Sequence, residues 1–124
     1  MFDESILISK HIKYFEGVEP SLIPIILSKL LFKNKKIFFI SENDNQMFEI
    51  KNFVSSSQPE VEIVLIPSWD TSPYDISSPN KEILGRRINS FTNILNNDFS
   101  SKKVLIITTI NALLIKNAPI SFYK

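Results

Sequence analysis

The fold class follows from one apolar run, Val104-Leu105-Ile106-Ile107, and from two similar runs earlier in the chain, Ile37-Phe38-Phe39-Ile40 and Val61 to Ile66. The runs at 37–40 and 104–107 are continuous rather than alternating, which is typical of strands in a parallel sheet that is covered on both faces. A weaker run, Ile12 to Phe15, is a candidate for a further strand ahead of Gly17.

Helical patterns fill the stretches between these runs. Residues 25–31 follow two prolines that a first helical turn tolerates, residues 81–96 form the clearest helix, and residues 111–116 predict a short one. The segment 45–54 places three apolar side chains on one face: Met47, Ile50 and Val54. Strands that alternate with helices predict right-handed βαβ units, and hence one α/β domain with an open, mostly parallel sheet and helices on both faces. A complete domain of this kind has more strands, so we expect an incomplete piece of a larger fold.

Composition excludes several classes of site. The chain has 124 residues, 14 Lys and Arg against 13 Asp and Glu, one His and no Cys. Thiol catalysis, iron–sulfur clusters and cysteine zinc sites are therefore excluded, and we expect no metal. The net charge of +1 argues against DNA or an acidic membrane held by bulk charge. No apolar run reaches the roughly 18 residues of a membrane helix, and acids stand where a signal peptide is basic, so we expect a cytoplasmic protein.

The turn from Glu16 to Leu22 occupies the position of a phosphate-binding loop in an α/β protein. Such a loop needs several glycines, then a lysine and a serine or threonine. Gly17 is the only glycine here, Ser21 is the only matching hydroxyl, and the first lysine to follow is Lys29. We therefore predict a plain strand-to-helix turn, no cofactor, no catalytic residues and no ATP hydrolysis by this chain.

The loop from Pro67 to Pro79 leaves the carboxyl end of a strand, which is where open α/β sheets bind ligands. It contains Trp69 and Tyr74, which could anchor a partner, and Asp70 and Asp75, which could act as an acid/base pair. The interpretation we favour is a rigid structural connection, because proline restricts the loop and most aromatic side chains pack. Partner binding is the second interpretation and catalysis the third.

Arg87 lies on the apolar side of the helix over 81–96. The apolar stripe and its neighbours on that helix are Leu84, Ile88, Phe91, Leu95, Ile83 and Ile94. A buried arginine needs a partner, and Asp70 or Asp75 in the preceding loop is the natural candidate. We predict that Arg87 clamps this loop onto the helix; a phosphate ligand is the competing interpretation.

The stretch from Leu65 to Asp75, followed by Ser78-Pro79 and Arg87, resembles the amino-terminal region of bacterial transcription-repair coupling factors (Mfd). That family has a Trp-acid pair, a Pro-Tyr-Asp, and a Ser-Pro that opens an arginine-bearing helix. Its next strand and short helix are similar to residues 104–119. The sequence departs from the family at three positions: Asp70 replaces glutamate, and Ser72 and Ile88 replace leucine.

The resemblance implies a UvrB-like, helicase- or RecA-like α/β domain whose phosphate loop has degenerated. It implies boundaries of 1–118 for this domain, with 119–124 as a linker or the start of the next domain. The parent would be an ATP-dependent DNA translocase that displaces stalled RNA polymerase and recruits UvrA for nucleotide excision repair. UvrA would bind the following domain, and RNA polymerase, DNA, ATP and magnesium would bind distant ones.

On this interpretation the chain is a non-catalytic scaffold for the UvrA-binding domain and packs against other domains of its parent. Two alternatives remain open at this point. One is the helicase-like module of a UvrB-type excision-repair protein, and the other is a small free-standing nucleotide-binding α/β protein. The second would require a phosphate-binding loop that residues 16–22 do not provide.

Overall fold

The computed structural model describes residues 16–33, 36–68, 81–96, 99, 101–115 and 119–123. The elements in chain order are a 3-10 turn (Pro20–Leu22), α1 (Ile23–Lys33), β1 (Lys36–Ser41), α2 (Asp44–Ser57), β2 (Glu62–Ile66), α3 (Lys81–Asn96), β3 (Val104–Thr109), α4 (Ile110–Leu113) and α5 (Ile120–Tyr123). The predicted strand over residues 12–15 lies outside the described residues.

The three described strands form one parallel sheet in the order β1-β3-β2. The central strand, β3, pairs Ile106 with Phe38 of β1 on one side and with Val64 of β2 on the other. The chain passes from β1 across β3 to β2 and then returns to β3. Because such crossovers are right-handed, this reversal places α2 and α3 on opposite faces of the sheet.

The main core lies between the sheet and the helix pair α1–α2. Its buried members are Leu27 and Leu31 of α1, Met47, Ile50 and Val54 of α2, Val61, and Leu105 and Ile107 of β3. Burying a side chain of this size stabilises the fold by about 1.5–3 kcal/mol each. The predicted apolar face of α2 is therefore confirmed, because all three of its residues belong to this core.

Local hydrogen bonds set the limits of α2. The Asn43 side chain accepts from the Gln46 amide at 2.9 Å, and the Gln46 side chain accepts from the Glu42 amide at 2.7 Å. The first bond caps the helix and the second ties Gln46 to the residue before the cap, so α2 begins one residue before the predicted start. At the other end the buried Gln58 donates its side-chain amide to the Ser28 carbonyl at 2.8 Å and so ties α2 to α1.

The prediction that both continuous runs are covered on both faces holds for β3 and is wrong for β1. Five of the six residues in β3 are buried, whereas Phe38 and Ile40 of β1 are 53% and 46% exposed. The reason is position: among the described residues β3 is central and β1 is an edge strand. The small parallel α/β architecture is as predicted, and the helicase-like assignment and the incompleteness of the domain stay predictions.

Candidate functional site at the carboxyl end of the sheet

All three described strands end at one edge of the sheet, where hydroxyl side chains bind main-chain carbonyls. The Ser41 hydroxyl lies 3.0 Å from the Thr108 carbonyl and 3.1 Å from that of Asn43, and Thr108 donates its hydroxyl to the Ile66 carbonyl at 3.1 Å. Thr109 accepts the Ala112 amide at 3.2 Å and thereby caps α4. These contacts join the ends of β1, β2 and β3.

Arg87 lies beside the carboxyl ends of β2 and β3. Its side chain is buried, with 3% exposed, and its two terminal nitrogens donate to the Pro67 carbonyl at 2.5 Å and to the Ala112 carbonyl at 3.3 Å. Its guanidinium carbon lies 5.5 Å from the centre of the Phe91 ring, within the range of a cation–π contact. Arg87 therefore links α3 to the end of β2 and to α4.

Ser90 is a second buried polar group on the same helix, and it was not among the residues predicted for the site. Its hydroxyl contacts the Leu65 carbonyl on β2 and lies 2.9 Å from the Arg86 carbonyl. One feature of the sequence could have predicted its burial: Ser90 follows Arg87 by three residues, and residues three apart lie on the same face of a helix. Together Arg87 and Ser90 bind two carbonyls of the β2 edge, those of Pro67 and Leu65.

The buried face of α3 is rotated from the predicted stripe. Leu84 and Leu95, which the stripe included, are each 40% exposed, whereas the buried residues of α3 are Arg87 and Ser90. Hydrogen bonds to the carbonyls of β2 explain the rotation, because they require polar side chains to face the strand. The predicted burial of Arg87 is confirmed.

Four predicted candidates, Trp69, Asp70, Tyr74 and Asp75, lie outside the described residues, as do Ser78 and Pro79. The carboxylate partner expected for Arg87 therefore stays a prediction. The structure shows a contact with Pro67, two residues before Trp69, so Arg87 does hold the chain where the loop begins.

The other two candidates, Gly17 and Ser21, are exposed and lie before α1. Gly17 has a φ of +69°, a conformation that favours glycine, and Ser21 is the middle residue of the 3-10 turn Pro20–Leu22. Glu19 precedes that turn in an extended conformation without a side-chain cap. Whether this segment lacks nucleotide affinity stays a prediction.

A small cleft of about 250 Å³ runs along β2 and reaches Pro67 at its carboxyl end. It is lined by Met47 and Phe48 of α2, by residues of β2, and by Arg86, Asn89, Ser90 and Asn93 of α3. Its volume is below the roughly 300 Å³ at which small-molecule sites begin. Within the described ranges, no group of three or more His, Asp or Glu side chains is placed to hold a metal, and none of the helices has the length and apolar character to cross a bilayer.

The known proteins that this sequence matches are transcription-repair-coupling factors. The chain is 38% identical over 97 residues to the transcription-repair-coupling factor of Rickettsia conorii, a match that covers 74% of this chain and 8% of that protein. It is 36% identical over 90 residues to the factor of Rickettsia prowazekii (73% and 6%), and 24% identical over 107 residues to that of Haemophilus influenzae (86% and 9%). The chain is homologous to part of the transcription-repair-coupling factors.

The chain thus spans less than a tenth of the length of these coupling factors. No protein-family model and no solved structure matches it. The relationship agrees with the resemblance found in residues 65–119.

Proposed function

We propose that this chain is the first α/β module of a transcription-repair-coupling factor and that it acts there as a non-catalytic scaffold. The observation that carries the proposal is the chemistry of the carboxyl edge. Arg87, Ser90, Ser41 and Thr108 bind main-chain carbonyls of this fold, where a ligand-binding α/β protein presents such groups to its ligand.

The buried position of Arg87 supports a structural role over phosphate binding. Its side chain is 3% exposed and bridges two carbonyls that belong to different elements. A phosphate could reach this guanidinium only by opening the packing that leaves it 3% exposed, and losing either carbonyl bond on the way would cost about 1–3 kcal/mol. The single glycine of the turn before α1 supports the same conclusion, because it leaves few amides to surround a phosphate.

The wider role is that of the parent to which the homology points. In the proposal the parent is a cytoplasmic, ATP-dependent DNA translocase that displaces stalled RNA polymerase and recruits UvrA for nucleotide excision repair. ATP and magnesium would act in distant motor domains, and the present module would support the domain that binds UvrA. A rigid sheet with joined strand ends suits that task, since a scaffold must hold its neighbour in one orientation.

Calorimetric titration of the chain with magnesium-ATP tests the non-catalytic assignment. The proposal predicts no saturable heat up to millimolar nucleotide and no release of phosphate. The matched control is Arg87→Met, which removes the buried guanidinium: a phosphate ligand would make any binding depend on it. Saturable binding of micromolar ATP by the parent chain would contradict the scaffold role. Its loss in Arg87→Met, once circular dichroism shows that variant to be folded, would favour a nucleotide-binding protein that uses Arg87.

A further inference from the structure

The outer edge of β1 exposes both main-chain and apolar groups. The Glu62 amide donates to the Lys103 carbonyl at 2.9 Å, so Lys103 faces β2. Successive residues of a strand face opposite neighbours, so the odd-numbered residues of β3 bond to β2 and the even-numbered ones bond to β1. In the register that pairs Phe38 with Ile106, Ile37 and Phe39 bond to β3. The amides and carbonyls of Phe38 and Ile40 consequently point away from the sheet.

The side chains of the same two residues are also accessible. Phe38 and Ile40 lie on one face of β1 and are 53% and 46% exposed. Among the described residues no strand pairs with this edge. An apolar edge strand with unpaired main-chain groups is a template for a further strand.

The sequence of this edge is complementary to itself in the antiparallel direction. If Phe38 stands opposite Ile40 of a second copy, then Ile40 stands opposite Phe38 of that copy, and Phe39 lies on the two-fold axis. The four outward groups of each strand then form four main-chain hydrogen bonds. The cross-strand neighbours are Phe and Ile, a pair that stabilises sheets.

The charges at the two ends agree with this register. Lys36 opens β1 and Glu42 follows it, and both side chains are exposed. The same two-fold pairing puts Lys36 of each copy opposite Glu42 of the other, which gives two ion pairs at the ends of the interface. The Glu42 amide is already held by the Gln46 side chain at 2.7 Å, so the backbone at this end is anchored.

We propose that two copies of this chain associate through the outer edges of β1 to form a two-fold symmetric dimer with a continuous six-stranded sheet. The interface is isologous, because each copy contributes the same residues. Phe38 and Ile40 supply its apolar contacts, and Lys36 and Glu42 set its register.

Sedimentation velocity of the 124-residue chain over roughly a hundredfold range of concentration tests the proposal. We expect a concentration-dependent monomer–dimer equilibrium. Lys36→Glu and Glu42→Lys each replace two opposite-charge pairs by two like-charge pairs, and each should weaken the dimer about tenfold. The double variant restores opposite charges at both ends and should recover the affinity of the parent.

Lys51→Glu is the matched control, since it makes the same charge change on an exposed position of α2 and should leave the dimer unchanged. Circular dichroism of each variant verifies that it is folded. A monomer at every concentration would overturn the proposal and indicate that another strand covers the edge. A dimer that the single charge changes do not weaken, or that the double variant does not restore, would overturn the proposed register and interface.

Discussion

Arg87 shows how one side chain can replace a network of contacts at the end of a sheet. A guanidinium presents several donors in a fixed plane, so a single buried arginine reaches carbonyls on two different elements. Here it reaches Pro67 at the end of β2 and Ala112 in α4. Lysine could not do the same, because its single ammonium is a point charge without that fork.

Arg87→Met should lower the free energy of unfolding by about 2–4 kcal/mol, because it leaves two main-chain carbonyls without their donor. Urea denaturation followed by circular dichroism measures this change. The adjacent Arg86→Met is the control: Arg86 pairs with Glu82 at 2.6 Å, but the two side chains are 59% and 68% exposed, so the loss should stay below about 1 kcal/mol. If both variants unfolded at the urea concentration of the parent, the structural role of Arg87 would be wrong.

Buried polar residues were the least predictable part of the site. The burial of Arg87 was predicted because a charged residue interrupts an apolar face of α3. Thr108 and Gln58 gave no such signal, because threonine and glutamine are common on surfaces, and Ser90 had only its spacing from Arg87. Their burial depends on carbonyls of distant strands and helices, which no local pattern reveals.

Among the elements, the limits of α3, β1 and β3 were predicted closely, whereas the burial of β1 on both faces was not. The limits of α3 agree with the prediction because its apolar period is long, and β3 follows from four consecutive apolar residues. The same continuous pattern wrongly predicts that β1 is covered on both faces. Strand order depends on tertiary pairing, so the run at 37–40 does not reveal that its strand lies at an edge. The short helix α5 was not predicted, because four residues carry no period.

The hydrogen bond from the Gln46 amide to the Asn43 side chain caps α2, and its contribution to stability can be measured by substitution. Asn43→Ala removes the acceptor for the Gln46 amide and should cost about 1 kcal/mol in the free energy of unfolding. Asn43→Asp keeps the acceptor, and its free energy of unfolding should equal that of the parent. Equal stability of Asn43→Ala and the parent in urea denaturation would mean that the cap contributes nothing.

For the whole molecule, the proposed scaffold role rests on the homology to coupling factors and on the small parallel α/β architecture together. A parallel sheet whose carboxyl edge is joined by its own side chains is suited to carry a neighbouring domain. The apolar outer edge of β1 is a second surface for contacts, because a further strand can extend the sheet there.

The central claim is tested most directly by a chimeric coupling factor in which this chain replaces the homologous segment of the Rickettsia conorii protein. The measurement is capture of UvrA by the purified chimera, together with its displacement of stalled RNA polymerase. The account predicts that the chimera retains both activities and that Arg87→Met reduces UvrA capture only as far as it unfolds the module. A chimera that is folded and moves RNA polymerase but captures no UvrA would contradict the scaffold role.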